Sequence, residues 1–433
     1  MVNVKAGVLC GLLWTTSLAA QGTANQPQPV LTLEQAEAAA VANQPRLLAE
    51  QLRARAVAQR VRQARAGLEP IVGFNATGAM VADTETAMAA GALPTSAVSN
   101  RFAYGGSLRQ LVTDFGRTSE LVQSARYEST AQAEMATLTK ARVRLNVQEA
   151  YFATLGAEAV LRAAKAALAN RKLISRQLDA LTQNELRSSL DLNFAKVLES
   201  EAELAVVRAQ STVEQERSRL ATAMGQHDPV RSQLAEPSTP AEFPATPQEM
   251  LTQAETQRAD LRAAEAQQKA AETYASAEKR LSYPSLNILG AAGQLPYHDH
   301  TLRDSYAAVG FNLNVPIFNG GLFAARRAEA EFEAGARGRD SEALRLEVNQ
   351  QVRDAWYRAD EAFRSLNVTA RLVAQSKEAL RLAQDRYDAG LGGIVELNEA
   401  QLNETSAEIS AADATYTYLS RLAELNFAAG LLN

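Results

Sequence analysis

The chain contains two copies of one pattern, and this internal repeat constrains its fold more than any other feature. Early in each copy, matching residues are 214 positions apart (284 − 70 = 214), as in Pro70 and Pro284. Later the separation is 205 (430 − 225 = 205), as in Gly225 and Gly430. A constant separation over two long halves indicates a tandem duplication. The nine-residue change (214 − 205 = 9) falls between Pro70 and Asp114, so only that region differs in length.

The repeat divides the chain into four parts. Residues 1–24 are predicted to be a signal peptide, 25–228 the first repeat, 229–246 a linker and 247–433 the second repeat. The linker is predicted because prolines crowd this stretch and proline ends regular structure. Its prolines, with the one just beyond it, are Pro229, Pro237, Pro240, Pro244 and Pro247.

The first residues resemble a secretion signal. Lys5 supplies a positive charge before the apolar run 8–18, which is too short and too polar to span a bilayer. An N-terminal membrane anchor is the weaker alternative. Cys10, the single cysteine, lies inside this segment, so the sequence predicts no disulfide and no thiolate metal site in the mature chain.

Long stretches without proline predict long helices. Ala, Leu, Glu, Gln and Arg dominate the composition and aromatic residues make up only 6% of it, which favours helices packed through small side chains. Residues 33–67 read as one helix. Residues 119–181 and 323–387 read as helices about 90 Å long at 1.5 Å per residue. Shorter helices are predicted over 191–224 and 396–429.

Each half also contains a short region in which apolar and small or polar residues alternate. Such a period of two predicts β-strands with one apolar face. We therefore expect one β-hairpin per half, at about 70–113 and 284–317. The four strands have the length of tilted transmembrane strands. Four strands alone would leave unpaired edges in lipid, so a membrane sheet requires several chains to share one barrel. The alternative is that the hairpins cap a soluble helical bundle.

Several motifs in register resemble the TolC-like outer-membrane efflux channels. The resemblance rests on residues 31–36 (LTLEQA) through 63–70 (QARAGLEP), 114–117 (DFGR), 315–321 (VPIFNGG) and 387–397, which begin YDAG and end IVEL. It covers essentially the whole mature chain.

The resemblance implies a mainly α fold with a small β part. A homotrimer would join four strands per chain into a 12-stranded outer-membrane β-barrel, and the long helices would form a periplasmic α-barrel. The implied function is the passive exit duct of a tripartite efflux or type I secretion system. The implied partners are outer-membrane lipid, a periplasmic adaptor protein, and an inner-membrane pump whose type (RND, ABC or MFS) stays open.

The resemblance also assigns roles to residues. It implies a gate at the periplasmic aperture formed by acidic residues, namely Asp191, Glu396 and Glu399. It places adaptor docking at the helix tips, at Glu185, Leu186, Ser188, Gly390, Leu391, Gly392 and Gly393. It identifies strand-to-helix motifs at Asp114, Gly116, Pro316, Asn319 and Gly321. The alternative for the acidic residues is ordinary solvated charge near helix N-termini.

The tips depart from the family pattern. Glu185 stands in the first tip where the second has Gly390, which predicts a differently shaped first tip. Gly392 and Gly393 occupy positions where a basic or hydroxyl residue often links neighbouring helix pairs, so we expect the second tip to lack that contact.

Other classes of function are disfavoured. The net charge of −5 without a basic block argues against nucleic acid, and no motif for phosphate binding, zinc hydrolysis or thiol redox chemistry occurs. We expect no enzyme, no cofactor and no metal, reading His298-Asp299-His300 as a polar loop. The alternative function is a secreted, periplasmic structural coiled-coil protein without a pore.

Overall fold

The computed structural model describes residues 30–80, 89–90, 93–94, 101–185, 187–238, 243, 246–298 and 303–433. The predicted signal peptide and part of the predicted linker lie outside these residues.

The first repeat begins with two short helices, continues into the sheet and ends in two long helices. The helices are α1 (Leu33–Asn43), α2 (Pro45–Arg65), α3 (Arg117–Gln183) and α4 (Ser189–Ala223). The strands are β1 (Ile71–Ala79), the two-residue β2 (Ala89–Ala90) and β3 (Leu93–Pro94), and β4 (Arg101–Thr113).

The second repeat has the same order. Its elements are α5 (Pro247–Gln257), α6 (Ala259–Lys279), β5 (Ser285–Tyr297), β6 (Ser305–Asn314), α7 (Leu322–Asp388) and α8 (Ile394–Ala428). The helix bounds reproduce the repeat: α6 starts 214 residues after α2 (259 − 45 = 214), and α7 and α8 each start 205 residues after α3 and α4 (322 − 117 = 394 − 189 = 205).

The two long helices of each repeat are antiparallel partners of very unequal length. Helices α3 and α7 have 67 residues each, about 100 Å at 1.5 Å per residue, and α4 and α8 have 35. Alanine supplies many of their buried positions, among them Ala131, Ala141, Ala164, Ala209, Ala359, Ala407 and Ala414. Small side chains at these contacts let the long and the short helix of each pair approach closely.

The predicted single helix 33–67 is wrong, because the chain breaks between α1 and α2. Gln44 is extended there, with φ −67° and ψ 112°, and Pro45 opens α2. Proline has no N–H to continue the α1 ladder and disfavours a helical residue before it. Arg258 makes the equivalent break between α5 and α6 without a proline, so tertiary contacts also stabilise it.

Those contacts are the same in both repeats. The Gln44 side chain donates a hydrogen bond to the Ala223 carbonyl oxygen (3.0 Å), and the Arg258 guanidinium donates one to the Ala428 carbonyl oxygen (3.2 Å). Ala223 and Ala428 end the equivalent helices α4 and α8 (428 − 223 = 205). In each repeat, the carboxyl end of the last helix therefore packs against the break between the first two helices.

One sheet contains strands from both repeats, in the antiparallel order β1-β4-β5-β6. Strand β4 joins the hairpins by pairing with β5. Strands β1 and β6 are the two edges, and each pairs with a single strand among the described residues. The strand predicted to run to Ile317 ends at Asn314, because Asn314 pairs with Ser285, where β5 begins, and Pro316 cannot donate to a ladder.

The sheet has an apolar and a polar face, since opposed residues of antiparallel strands project to the same side. The apolar face, here the outer face, carries Val72, Phe74, Leu108, Ile288, Val309 and Phe311. The opposite, inner face is mainly small or polar and carries Gly73, Asn75, Ser107, Arg109, Asn287, Ala308 and Asn312, together with the apolar Ile71 and Leu289. The inner-face residues border a hollow of about 870 Å³, so this side is concave.

The largest buried cluster lies midway along the helices and holds the chain between the repeats. Tyr151 of α3 is fully buried, and its hydroxyl lies 2.8 Å from the Leu31 carbonyl oxygen and 2.7 Å from that of Ala235. Leu31 also forms a parallel bridge with Leu234. Part of the predicted linker is therefore packed against the first repeat.

Candidate functional site

The two helix tips, far from the sheet, form one end of the molecule. One tip joins α3 to α4 and the other joins α7 to α8. A hydrophobic cluster ties them together, with buried Leu178, Ala195, Ala383, Ile394 and Leu397 drawn from all four helices. Residues that are 205 positions apart in sequence therefore lie side by side at this end.

The described residues of the first tip turn in the same way as those of the second, so for these residues the predicted difference in shape is wrong. Glu185 is left-handed, with φ +57°, and Gly390 has φ +71°. Each N–H donates to the carbonyl three residues earlier, on Thr182 (3.1 Å) and Tyr387 (3.0 Å). A non-glycine residue in this region costs about 1 kcal/mol. The packing of the four helices therefore imposes the turn and outweighs the preference of Glu185 for a right-handed backbone.

The remaining tip residues differ between the repeats. The Ser188 hydroxyl accepts a hydrogen bond from the Leu190 N–H (3.1 Å) and caps α4. Gly393 occupies the same cap position of α8 without a side chain, and Leu391 is 76% exposed. Leu186 lies outside the described residues. Because Leu391 is exposed with Gly392 and Gly393 beside it, the second tip presents an apolar, glycine-flanked surface.

The three acidic gate candidates have different surroundings. Glu396 pairs with Arg386 of its own helix hairpin at 3.3 Å, so its charge is locally compensated. Asp191 is half-buried in the first turn of α4, and Glu399 is exposed on α8. Neither has an ion-pair partner among the described residues. Of the three, Asp191 and Glu399 therefore carry the uncompensated negative charge.

Arg187 is a tip residue that the sequence reasoning missed. Its guanidinium lies over the Tyr387 ring, 5.0 Å from the centroid, and so links the first tip to the second. Arg187 is the repeat counterpart of Gly392 (392 − 187 = 205). The second tip has glycine at this position, as predicted, and the basic residue stands in the first tip instead; aligning the two repeats at this position would have revealed it.

Further charged side chains lie along the contacts between the helices above the tips. Arg171 is only 7% exposed and donates to the Asn398 amide oxygen (2.6 Å), joining α3 to α8, and burial lowers the pKa of this guanidinium. Lys377 pairs with Glu408 at 2.7 Å. Burial, reinforced by the Glu408 carboxylate, raises the pKa of Glu404. These groups set the register of neighbouring helices, and their geometry resembles a structural network rather than a catalytic pair.

The strand-to-helix motifs lie at the other end of the long helices. Asp114 accepts hydrogen bonds from the N–H groups of Gly116 (3.2 Å) and Thr118 (2.8 Å). Gly116 and Gly321 cap α3 and α7 with nearly equal φ values of +88° and +84°. Pro316 and Asn319 lie in the connection from β6 to α7. The motif residues therefore turn the chain from the sheet into the long helices.

The described residues contain no group of three or more His, Cys, Asp or Glu that could hold a metal ion. His298 lies 2.8 Å from an Asp304 carboxylate oxygen, while Asp299 and His300 of the predicted polar loop lie outside the described residues. Among the helices that the structure describes, none is sufficiently long and apolar to cross a bilayer.

Comparison with known proteins identifies relatives of the same architecture. Residues 250–431 match the outer membrane efflux protein family. The outer membrane protein TolC of Salmonella enteritidis is 24% identical over 304 residues, which are 67% of this chain and 61% of TolC. The outer membrane protein OprJ of Pseudomonas aeruginosa is 25% identical over 339 residues, or 74% of this chain and 68% of OprJ. The match to TolC thus spans less than two thirds of that protein.

The solved structures extend the similarity over nearly the whole chain. The Campylobacter jejuni CmeC outer membrane channel aligns with a TM-score of 0.80 at 18% identity, covering 92% of this chain and 85% of CmeC. At this identity the alignment establishes the fold, and it confirms the predicted mainly α architecture with a small β part. The names of the relatives agree with the predicted outer-membrane location.

Proposed function

We propose that this chain, whose residues 250–431 match the outer membrane efflux protein family, forms the passive exit duct of a tripartite efflux or type I secretion system. The observation that carries the proposal is a sheet with an apolar outer face and a concave polar inner face, continuous with helices of 67 residues. The sheet suits an outer membrane, and helices of about 100 Å suit a conduit through the periplasm.

The edges of the sheet support assembly as a homotrimer. Strands β1 and β6 each offer one unpaired side, and every residue of β6 is exposed in the single chain. Hydrocarbon does not tolerate unpaired backbone groups, so β6 of one chain would pair with β1 of the next. Three chains of four strands give twelve, above the roughly eight at which known barrels begin, and a closed ring removes all edges.

The proposed partners are those implied by the similarity to outer membrane efflux proteins. An adaptor would dock on the outside of the helix tips, at Glu185, Ser188 and residues 390–393, and an inner-membrane pump of RND, ABC or MFS type would supply the energy. The duct itself would do no chemistry. Selection among exported compounds would then lie mainly in the pump.

The tips would gate the duct. In a trimer, three copies of Asp191 and of Glu399 would surround a narrow mouth and attract cations. Replacing both residues with alanine should weaken cation selectivity and block by divalent cations. Glu396→Ala should change selectivity less, because Arg386 already compensates its charge. Equal selectivity in all variants would contradict the acidic gate.

The decisive experiment addresses location, assembly and conductance together. We expect heat-resistant trimers in the outer-membrane fraction and ion conductance when purified trimers are added to planar bilayers. A monomer that purifies without detergent and never conducts would instead support the alternative, a periplasmic structural coiled-coil protein.

A further inference from the structure

Arg109 is a charged side chain on the inner face of the sheet that the proposed gate does not use. It lies in β4, opposite Ile71 of β1 and Leu289 of β5. Its neighbours on the inner face include Ser107 and Asn287, and all of them border the concave hollow. The other residues that line the hollow are glycine, alanine, amide, hydroxyl and aliphatic residues, so Arg109 is the charged side chain of this lining.

The charge on this wall is of one sign. The four long strands contain two charged residues, Arg101 and Arg109, and no Asp or Glu. The regular β1–β4 register places both arginines on the inner face, since they are separated by an even number of residues. Arg109 forms no ion pair with any other residue in the described part of the chain, so its charge is uncompensated.

We propose that Arg109 forms a basic, anion-selective ring inside the barrel, a specificity element opposite in sign to the acidic mouth at the tips. The inference rests on the proposed trimer, which would repeat Arg109 three times around one lumen. Rings of arginine favour anions in pores because they stabilise negative charge where water is partly displaced. Amide groups of Asn75, Asn287 and Asn312 on the same face would donate further hydrogen bonds to phosphates, carboxylates or chloride.

The ring predicts a measurable selectivity. In planar bilayers under a KCl gradient, Arg109→Gln should lower the chloride-to-potassium permeability ratio by about twofold or more, since lumen substitutions tune selectivity in barrels. Tripolyphosphate should block the wild-type current, and this block should weaken in the variant. Arg109→Lys should retain both properties. Arg339→Gln, which removes an exposed arginine from α7, controls for the loss of a charge elsewhere.

Chemical modification tests the orientation of the side chain. Cys10 is the single cysteine, so Arg109→Cys in a Cys10→Ser background gives one reactive site. A positively charged methanethiosulfonate should restore the anion preference, and a negatively charged one should reverse it.

The outcomes separate the two proposals. Conducting trimers whose selectivity and block are the same in Arg109→Gln as in the wild type would overturn the basic ring and leave the exit duct standing. Wild-type trimers that never conduct would overturn the duct and the ring together.

Discussion

At the scale of single residues, the tips contain a contact that depends on both repeats. Arg187 and Tyr387 come from different helix hairpins, and the Arg187 guanidinium lies over the Tyr387 ring, 5.0 Å from its centroid. Such contacts contribute about 0.5–1 kcal/mol at exposed sites. This is enough to bias the opening of the proposed gate without locking it shut.

Removing this contact should favour the open duct. Arg187→Ala should raise the open probability in planar bilayers about two- to fivefold, the equivalent of 0.5–1 kcal/mol. Tyr387→Leu should have the same effect, whereas Tyr387→Phe keeps the ring and should behave like the wild type. If Arg187→Ala opens no more often than the wild type, the contact does not hold the tips.

The half-buried carboxyl group of Glu404 above the tips predicts a dependence on pH. The pKa of Glu404 is raised above its usual 4.5, chiefly by burial and then by Glu408. The folded state therefore binds this proton more tightly than the unfolded chain does. Its stabilising effect is fully present below the unfolded pKa and is lost as pH rises through the folded one. Glu404→Gln should raise the melting temperature at pH 7 and have little effect near pH 4.

Circular dichroism during heating would measure this difference in detergent-solubilised protein. Glu399→Gln is the matched control, because Glu399 is exposed on the same helix. A Glu404→Gln variant that melts below the wild type at pH 7 would contradict the assignment of an unfavourable buried charge.

At the scale of helices and strands, each repeat is closed by contact between its first and last helices. Gly225 and Gly430 follow α4 and α8 with φ values of +74° and +78°. A Cβ at Gly225 would lie 2.9 Å from the carbonyl of Asn43, and one at Gly430 would lie 2.9 Å from the backbone of Arg258. Only a residue without a side chain fits, since the opposing atoms are backbone.

Alanine at this contact should therefore destabilise the fold. Gly225→Ala should cost about 1–3 kcal/mol, from the left-handed backbone and the close approach together. Gly335→Ala is the matched control. Gly335 lies within α7, where an added Cβ would point into open space in the single chain, and alanine favours a helix by about 0.5–1 kcal/mol. Denaturant unfolding would compare them, and equal midpoints would contradict the close contact.

At the scale of the whole molecule, the two faces of the sheet determine which way the barrel would close. Val309 is 86% exposed on the outer face, and Ala308 is its neighbour on the inner face. A lysine on the lipid side of a barrel costs about 2–4 kcal/mol at the bilayer midplane, while the lumen side tolerates it.

Adjacent lysine substitutions should therefore have opposite outcomes. Val309→Lys should greatly reduce the yield of heat-resistant trimer in the outer membrane, and Ala308→Lys should leave it near the wild-type level. Gel analysis of unheated and heated membrane fractions would measure both. A larger loss with Ala308→Lys would mean that the faces are assigned the wrong way round.

The sequence by itself determined the duplicated architecture of this protein, because helix period, strand alternation and proline placement are local signals. The 214- and 205-residue separations reappear in the helix bounds, and the motif residues from Asp114 to Gly321 lie at the sheet-to-helix turns. Predictions from these local signals were wrong where contacts between distant parts of the chain outweigh a residue's own backbone preference. Gln44 is extended because α4 ends against it, and Glu185 is left-handed because four helices meet at the tips.

Only the tertiary structure decided which charges are free and which are paired. Arg386 compensates Glu396, Arg187 reaches Tyr387 from the other repeat, and Arg109 lies on the concave face with no ion-pair partner among the described residues. The physical reason is that an ion pair or a cation–π contact forms only when the two side chains lie within a few ångströms of each other. In this chain such side chains can be up to 200 residues apart in sequence. Sequence spacing cannot supply that distance, whereas the packed helices and the sheet register do.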